Sequence, residues 1–240
     1  MIFNHEKNIL ELLNIAIDAG KEILNIYNDE IIVNSKEDKS PITQADINSN
    51  DLIVNRLKKL ESNIPILTEE SVVEWKKRKN WIKYWLIDPL DGTKEFINRN
   101  GEFTVNISLI ENNYPIFGII YSPVKSLLYY ALKNNGCYKL KTNSNLSTLK
   151  NFNKINIHKE KNITTKVIGS RSHSSKEFLN WVEKKFTNFE LITIGSSLKF
   201  CILAEGKADI YPRFGPTSEW DIAAGHIILE EAGGKLKTID

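Results

Sequence analysis

The densest chemistry in this chain lies in six consecutive residues, Asp88-Pro89-Leu90-Asp91-Gly92-Thr93. Two carboxylates this near in sequence, in a segment restricted by Pro89 and opened by Gly92, can be brought to one side of the backbone. Carboxylates so close repel each other unless a cation lies between them. With oxygen donors only, the favoured cation is Mg²⁺ or a similar hard ion. Asp88 ends the apolar run Trp85-Leu86-Ile87, and the carboxyl end of a buried strand faces the crevice where α/β proteins bind ligands. Thr93 stands where a helix can start, with free N–H donors suited to a phosphate. Asp-Gly is equally an ordinary surface-turn dipeptide, so the hexapeptide alone leaves both readings open.

Other acidic residues widen the picture. Glu69 and Glu70 follow the apolar pair Ile66-Leu67 across Thr68, although a charged helix start has the same appearance. Asp46 follows Ser40-Pro41-Ile42-Thr43-Gln44-Ala45, and Asp221 follows Trp220; each could simply cap a helix. Acidic residues at strand ends and helix starts fit one converging site better than separate caps. The four histidines, His5, His158, His173 and His226, show no ligand spacing, which disfavours zinc.

The elements that must position these residues follow from periodicity. Ile9, Leu12, Leu13, Ala16, Ile17, Gly20, Ile23 and Leu24 recur at helical spacing. A polar loop is expected over 34–41 and a second helix over 46–60. Ile66-Leu67 and residues 84–87 read as strands, and 103–110, 116–121 and 127–132 as an antiparallel set. Gly136 and the Asn/Ser-rich run 142–148 read as turns and a surface loop. Beyond about residue 160 the pattern alternates: strand 166–168, helix 174–186 capped by Ser174 or Ser175, strand 191–194, helix 196–204, strand 210–211. A last helix over 219–231 is closed by Gly233-Gly234. This predicts a layered α/β protein in two closely fused subdomains. An N-terminal α+β part, 1–150, carries most of the acidic residues, and a C-terminal α/β part, 151–240, carries the last.

Composition sets outer limits. The 240 residues are 41% hydrophobic and 26% charged, with a net charge of +2, an ordinary globular balance with no sign of a surface for nucleic acid polymers. No apolar run approaches the ~18 residues of a membrane span. Cys137 and Cys201 form no C-x-x-C pair, so neither a disulfide framework nor a thiolate metal site is expected, and a reducing cytoplasm is the default. Nothing in the sequence fixes an oligomeric state.

Four segments, Ser40-Pro41-Ile42-Thr43, Thr68-Glu69-Glu70-Ser71, the 88–93 hexapeptide and Glu219-Trp220-Asp221-Ile222-Ala223-Ala224-Gly225, resemble in order and spacing the signatures of the inositol monophosphatase superfamily. Gly195-Ser196-Ser197-Leu198-Lys199-Phe200-Cys201, Tyr211-Pro212-Arg213-Phe214-Gly215-Pro216-Thr217 and residues 94–106 are similar to its bisphosphate nucleotidase branch. The likeness spans nearly the whole chain. It implies a five-layered αβαβα sandwich and a lithium-sensitive, Mg²⁺-dependent phosphomonoesterase. The implied reaction converts 3′-phosphoadenosine 5′-phosphate to AMP and phosphate, clearing a by-product of sulfate assimilation.

Position by position, the resemblance implies that Glu69, Asp88, the Leu90 carbonyl, Asp91 and Asp221 hold two or three Mg²⁺ ions. Asp46 and Thr93 would orient and deprotonate the attacking water, with Glu70 in support. The backbone N–H groups of Gly92 and Thr93 would meet the phosphate beside Glu69, Leu90, Asp91 and Asp221. His173, Ser196, Lys199 and Arg213 would contact the nucleotide; without the resemblance, Lys199 and Arg213 read equally as solvated cations and His173 as a loop histidine. Two alternatives stand beside this expectation: an inositol or fructose phosphate phosphatase, and a non-catalytic nucleotide-binding relative. The chain ends at Asp240, where family members usually continue with a further loop and strand, so an incomplete C-terminal sheet is expected. Some relatives associate peripherally with the inner membrane, but no anchor is visible here.

Overall fold

The apolar spacing near the N-terminus folds as α1 (Glu6–Tyr27), which buries Leu12, Leu13, Ala16, Ile17 and Ile23 on one side. The computed structural model describes residues 5–29, 31–36, 41–157, 163–171 and 176–238. Where a polar loop was expected, β1 (Val33–Ser35) pairs antiparallel with β2 (Pro41–Thr43). Strands of three residues are too short to show an alternating pattern. The second helix, α2 (Gln44–Leu60), starts two residues early because Thr43 and Asp46 form a capping box at its N-terminus.

The main sheet runs in chain order: β3 (Ile66–Thr68), β4 (Lys83–Asp91), β5 (Thr104–Glu111), β6 (Tyr114–Ser122), β7 (Leu127–Leu132), β8 (Gly136–Lys141) and β9 (Asn153–Ile155). β3 lies parallel to β4, and every later pair is antiparallel. The expected surface loop over 142–148 has no regular structure, and β8 and β9, which the sequence pattern did not show, lie on either side of it. Gly136, at φ +106, does end a turn, but the chain continues as β8, paired with β7 on one side and with the edge strand β9 on the other. The partly buried Lys139 and exposed Lys141 of β8 dilute the apolar signal.

Alternation across the sheet separates its two faces. Trp85, Ile87, Val105, Ile107 and Leu109 pack against α1 and α2. Ile120, Tyr129 and Ala131 point the other way, into a cluster with α6 (Leu198–Ala204) and α7 (Glu219–Glu231). Ile168 and Ile194, from the parallel strands β10 (Thr165–Ser170) and β11 (Phe189–Ile194), cover the far side of the same helices. Val167 faces outward to Phe178 and Val182 of α5 (Lys176–Lys185). The layers are therefore αβαβα. Being central, α7 is apolar on both sides, through Ala223, Ala224, Ile227, Ile228 and Leu229. It sits so close to the sheet that a Cβ at Gly118 would lie 2.6 Å from Ile227 Cγ2 and 2.8 Å from the Ala224 carbonyl.

Two local expectations shift. Ile210 makes only a single parallel bridge to Val167; Pro212 removes the next donor of a ladder. The small sheet has two strands among the described residues. The helix expected from Ser196 begins at Leu198, because Ser196 takes a left-handed conformation, φ +48. The cap expected for α5 at Ser174 or Ser175 lies outside the described residues.

Candidate active site

Carboxylate oxygens of Asp88, Asp91 and Asp221 lie within 4.8 Å of one another. Asp88 and Asp91 come from the end of β4, and Asp221 from the first turn of α7. In a regular strand, residues three apart face opposite ways. The β4–β5 ladder shifts register between Asp88 and Asp91, and that irregularity allows both to serve one site. The Leu90 N–H donates to Asp88 Oδ1 at 3.1 Å. The Ser49 hydroxyl of α2 donates to the Pro89 carbonyl at 2.7 Å, holding the segment from the other side.

Electrostatically the cluster is uncompensated. Burial, and then Glu69, Asp91, Asp221 and Asp46, push Asp88 well above the usual carboxylate range. Burial and Asp221 push Asp91 up to about 7, against the pull of Lys199 and of the Ser197 N–H it accepts. Three carboxylates with the Leu90 carbonyl near by form an all-oxygen donor set, which suits a hard divalent cation. The residues present therefore fit a metal of the Mg²⁺ class.

Beside the cluster, the Thr93 hydroxyl lies 3.2 Å from Asp46 Oδ1 and 3.4 Å from the Leu90 carbonyl. Asp46 Oδ2 accepts from the Thr43 N–H at 2.7 Å and the Thr43 hydroxyl at 2.6 Å. Burial raises the Asp46 pKa while these bonds lower it. Asp46 thus caps α2 and faces the site at once, so capping and function are not exclusive for it. The same holds for Asp221, which accepts from the Ser218 N–H at 2.9 Å and the Thr217 hydroxyl at 3.1 Å. Gly92, at φ +92, opens the short helix α4 (Thr93–Ile97); a Cβ there would meet the Glu102 carbonyl and Ser196 Cβ at 3.2 Å.

Glu69 and Glu70 are not among the three clustered carboxylates. Both are turned to Lys36, whose Nζ lies 2.8 Å from Glu69 Oε1 and 2.7 Å from Glu70 Oε1. Burial nevertheless raises both glutamates. Sequence reasoning missed Lys36, since a lysine in a polar loop carries no spacing signal.

The C-terminal part contributes cations. Lys199 is buried, with Nζ 5.5 Å from the Tyr211 ring centroid. Burial lowers its pKa, partly offset by Asp91. Arg213 Nη2 donates to the Pro216 carbonyl at 2.7 Å, and its buried Nε has no partner among the described residues. The Ser196 hydroxyl lies 3.3 Å from Thr104 Oγ1. His173 lies outside the described residues. Lys36, Glu69, Asp91, Thr93, Lys199 and Asp221 line one cavity of about 2410 Å³. It continues past Leu203 and Leu229 to Leu236, so the volume is not that of the acidic site alone. Among the described residues, no helix is long and apolar enough to cross a membrane.

Residues 6–240 match the inositol monophosphatase family. The chain is 40% identical over 241 residues to the 3′(2′),5′-bisphosphate nucleotidase CysQ of Salmonella typhimurium, covering 96% of this chain and 92% of the relative. It is 43% identical over 234 residues to CysQ of Buchnera aphidicola subsp. Acyrthosiphon pisum, covering 97% and 84%. The crystal structure of CysQ from Bacteroides thetaiotaomicron superposes with a TM-score of 0.84 at 41% identity, over 96% of this chain and 88% of that one. Inositol monophosphatase from Anabaena shares the fold, with a TM-score of 0.74 at 23% identity, over 96% and 87%.

Proposed function

The chain belongs to the inositol monophosphatase family, and from that premise we propose that it is a 3′(2′),5′-bisphosphate nucleotidase. Its substrate is 3′-phosphoadenosine 5′-phosphate, hydrolysed in the cytoplasm to AMP and phosphate as part of sulfur assimilation. The family is metal-dependent, and the ion proposed here is Mg²⁺, in two or three copies. The observation that carries the reading is the Asp88–Asp91–Asp221 cluster beside the Thr93–Asp46 contact. Substrate class is supported by 40–43% identity to nucleotidases over nearly the whole chain, against 23% to the inositol monophosphatase from Anabaena.

Asp88, Asp91, Asp221, Glu69 and the Leu90 carbonyl would hold the metal. When bound, Mg²⁺ supplies Lewis acidity toward the phosphoryl oxygens and toward the attacking water. The chain does the rest. The Thr93 hydroxyl, which donates to Asp46 Oδ1, takes a proton from the water and passes its own to the Asp46 carboxylate as the water oxygen bonds to phosphorus. The P–O ester bond breaks, and the 3′ oxygen takes up a proton from solvent as it leaves. Glu70 and Lys36 steady Glu69 through the shared ammonium. The Gly92 and Thr93 N–H groups meet the phosphate. Lys199 and Arg213 meet the second, 5′-phosphate, with Ser196 and His173 against the nucleoside; an inositol monophosphate offers these cations no partner.

The test is phosphate release from 3′-phosphoadenosine 5′-phosphate and from inositol 1-phosphate, with and without Mg²⁺. Turnover that needs Mg²⁺ and strongly favours the nucleotide is expected. Equal rates, or preference for the inositol ester, would sink the substrate assignment.

A further inference from the structure

Asn106 of β5 lies opposite Asp88 in the β4–β5 ladder, and each is 1% exposed. Residues directly opposed in an antiparallel pair send their side chains to the same face. Here that face also carries Leu86 and Ile110, which pack with Ala223 of α7. An amide has been placed in a sheet core whose adjoining positions, Val105 and Ile107, are apolar and fully buried.

Its hydrogen bonds lead to the acidic cluster. Asn106 Oδ1 accepts from the Ser197 hydroxyl at 2.7 Å and the Thr104 hydroxyl at 3.1 Å. Those two hydroxyl oxygens lie 2.7 Å apart. The backbone N–H of Ser197 is the group that donates to Asp91 Oδ2. Asn106 therefore grips, through Ser197, the donor that holds Asp91. Asn106 Nδ2 is buried without a partner among the described residues, an unusual state for a native amide unless another group pairs with it.

We propose that Asn106 is a positioning residue for the acidic cluster. Through Ser197 it fixes Asp91 and the turn leading to Lys199, and its Nδ2 is a donor for an oxygen that arrives with the cation or the phosphate. Outer partners of this kind orient ligands and tune affinity. The inference rests on the reading of Asp91 as a metal carboxylate.

The test is calorimetric titration of Mg²⁺ into metal-free protein carrying Asn106→Ala, Ser197→Ala or both, with melting in EDTA and nucleotide kinetics alongside. Ser197→Ala removes only the hydroxyl and keeps the N–H, so it is informative even if Asn106→Ala does not fold. Each single change should weaken Mg²⁺ binding about 10–100-fold, lower kcat more than it raises KM, and leave the melting temperature in EDTA near that of the unmodified protein. Because both act through one chain of bonds, the double variant should be no weaker than the worse single one. Unchanged Mg²⁺ binding in Ser197→Ala, or losses that multiply in the double variant, would overturn the role of Asn106 alone. An unmodified protein that binds no divalent cation would overturn the metal reading as well.

Discussion

Two regions of this molecule are rich in carboxylates and treat them in opposite ways. In the seam between α1 and α2, Arg56 reaches Asp18 and Glu11, each at 2.5 Å, and Lys21 reaches Asp18 at 2.9 Å. Burial would raise Asp18, but its bonds to Lys21, Arg56 and Asn145 hold it below the ordinary carboxylate range. In the cleft, Asp88 and Asp91 are both raised, by burial and by their neighbours. The seam brings its own cations and is electrostatically closed. The cleft is left short of positive charge and is closed only by an ion from outside.

The largest way to sharpen that contrast is Asp91→Asn. Turnover should fall by more than the about 10–100-fold typical of an outer partner, because a metal carboxylate is removed. In EDTA at pH 8 the same variant should melt a few degrees higher, since one repelling charge has gone. A lower melting point would break the comparison. Thr93→Ala should lower kcat by about 10²–10⁴-fold while calorimetric Mg²⁺ affinity stays as it was, and Thr93→Ser should retain most activity. Weakened Mg²⁺ binding in Thr93→Ala would make Thr93 part of the metal site instead.

A third test uses pH. The folded-state pKa of Asp91 is raised from 3.8 to about 7, so between those values the folded chain holds a proton that the unfolded chain has released. Stability of the metal-free protein from this group is therefore full below about pH 4 and is lost as pH rises toward 7. The folded pKa of Asp18 is lowered, so its contribution is present above about pH 4 and is lost as pH falls through the folded value. Melting in EDTA from pH 5 to 8 should trend downward, and saturating Mg²⁺ should remove the trend. A metal-free protein that becomes steadily more stable over that range would show that the cleft is not the dominant titrating region.

The same contrast explains what could be read from the sequence. The hexapeptide around Asp88 and Asp91 was legible because Pro, Gly and two Asp at the end of an apolar run constrain one another. The joining of β4 to α7 through Asp221 was legible as family resemblance, but its geometry was not, since a register shift leaves no mark in residue type. Lys36 was invisible, because long-range ion pairs have no spacing. Asn106 was hidden in a strand pattern, where one polar residue resembles an ordinary outward-facing position. The antiparallel pair β1 and β2 and the strands β8 and β9 were hidden by brevity and by partly or fully exposed polar residues, whereas α1, with its long apolar period, was plain.

The smallest effect belongs to the seam and is the sharpest control. Asp18→Asn makes the same chemical change as Asp91→Asn, yet it removes a charge that Arg56 and Lys21 already satisfy. These groups are partly exposed, so the loss should be about 0.5–1 kcal/mol, seen as a melting point lower by about 1–4 °C and shrinking as salt is added. Arg56→Met should cost a similar amount through both of its pairs, and neither change should alter Mg²⁺ affinity. Opposite signs for one substitution at two carboxylates, in the same buffer, would locate the demand for an external cation in the cleft. Equal signs would mean that exposure, rather than the supply of partner charges, sets the behaviour of both regions.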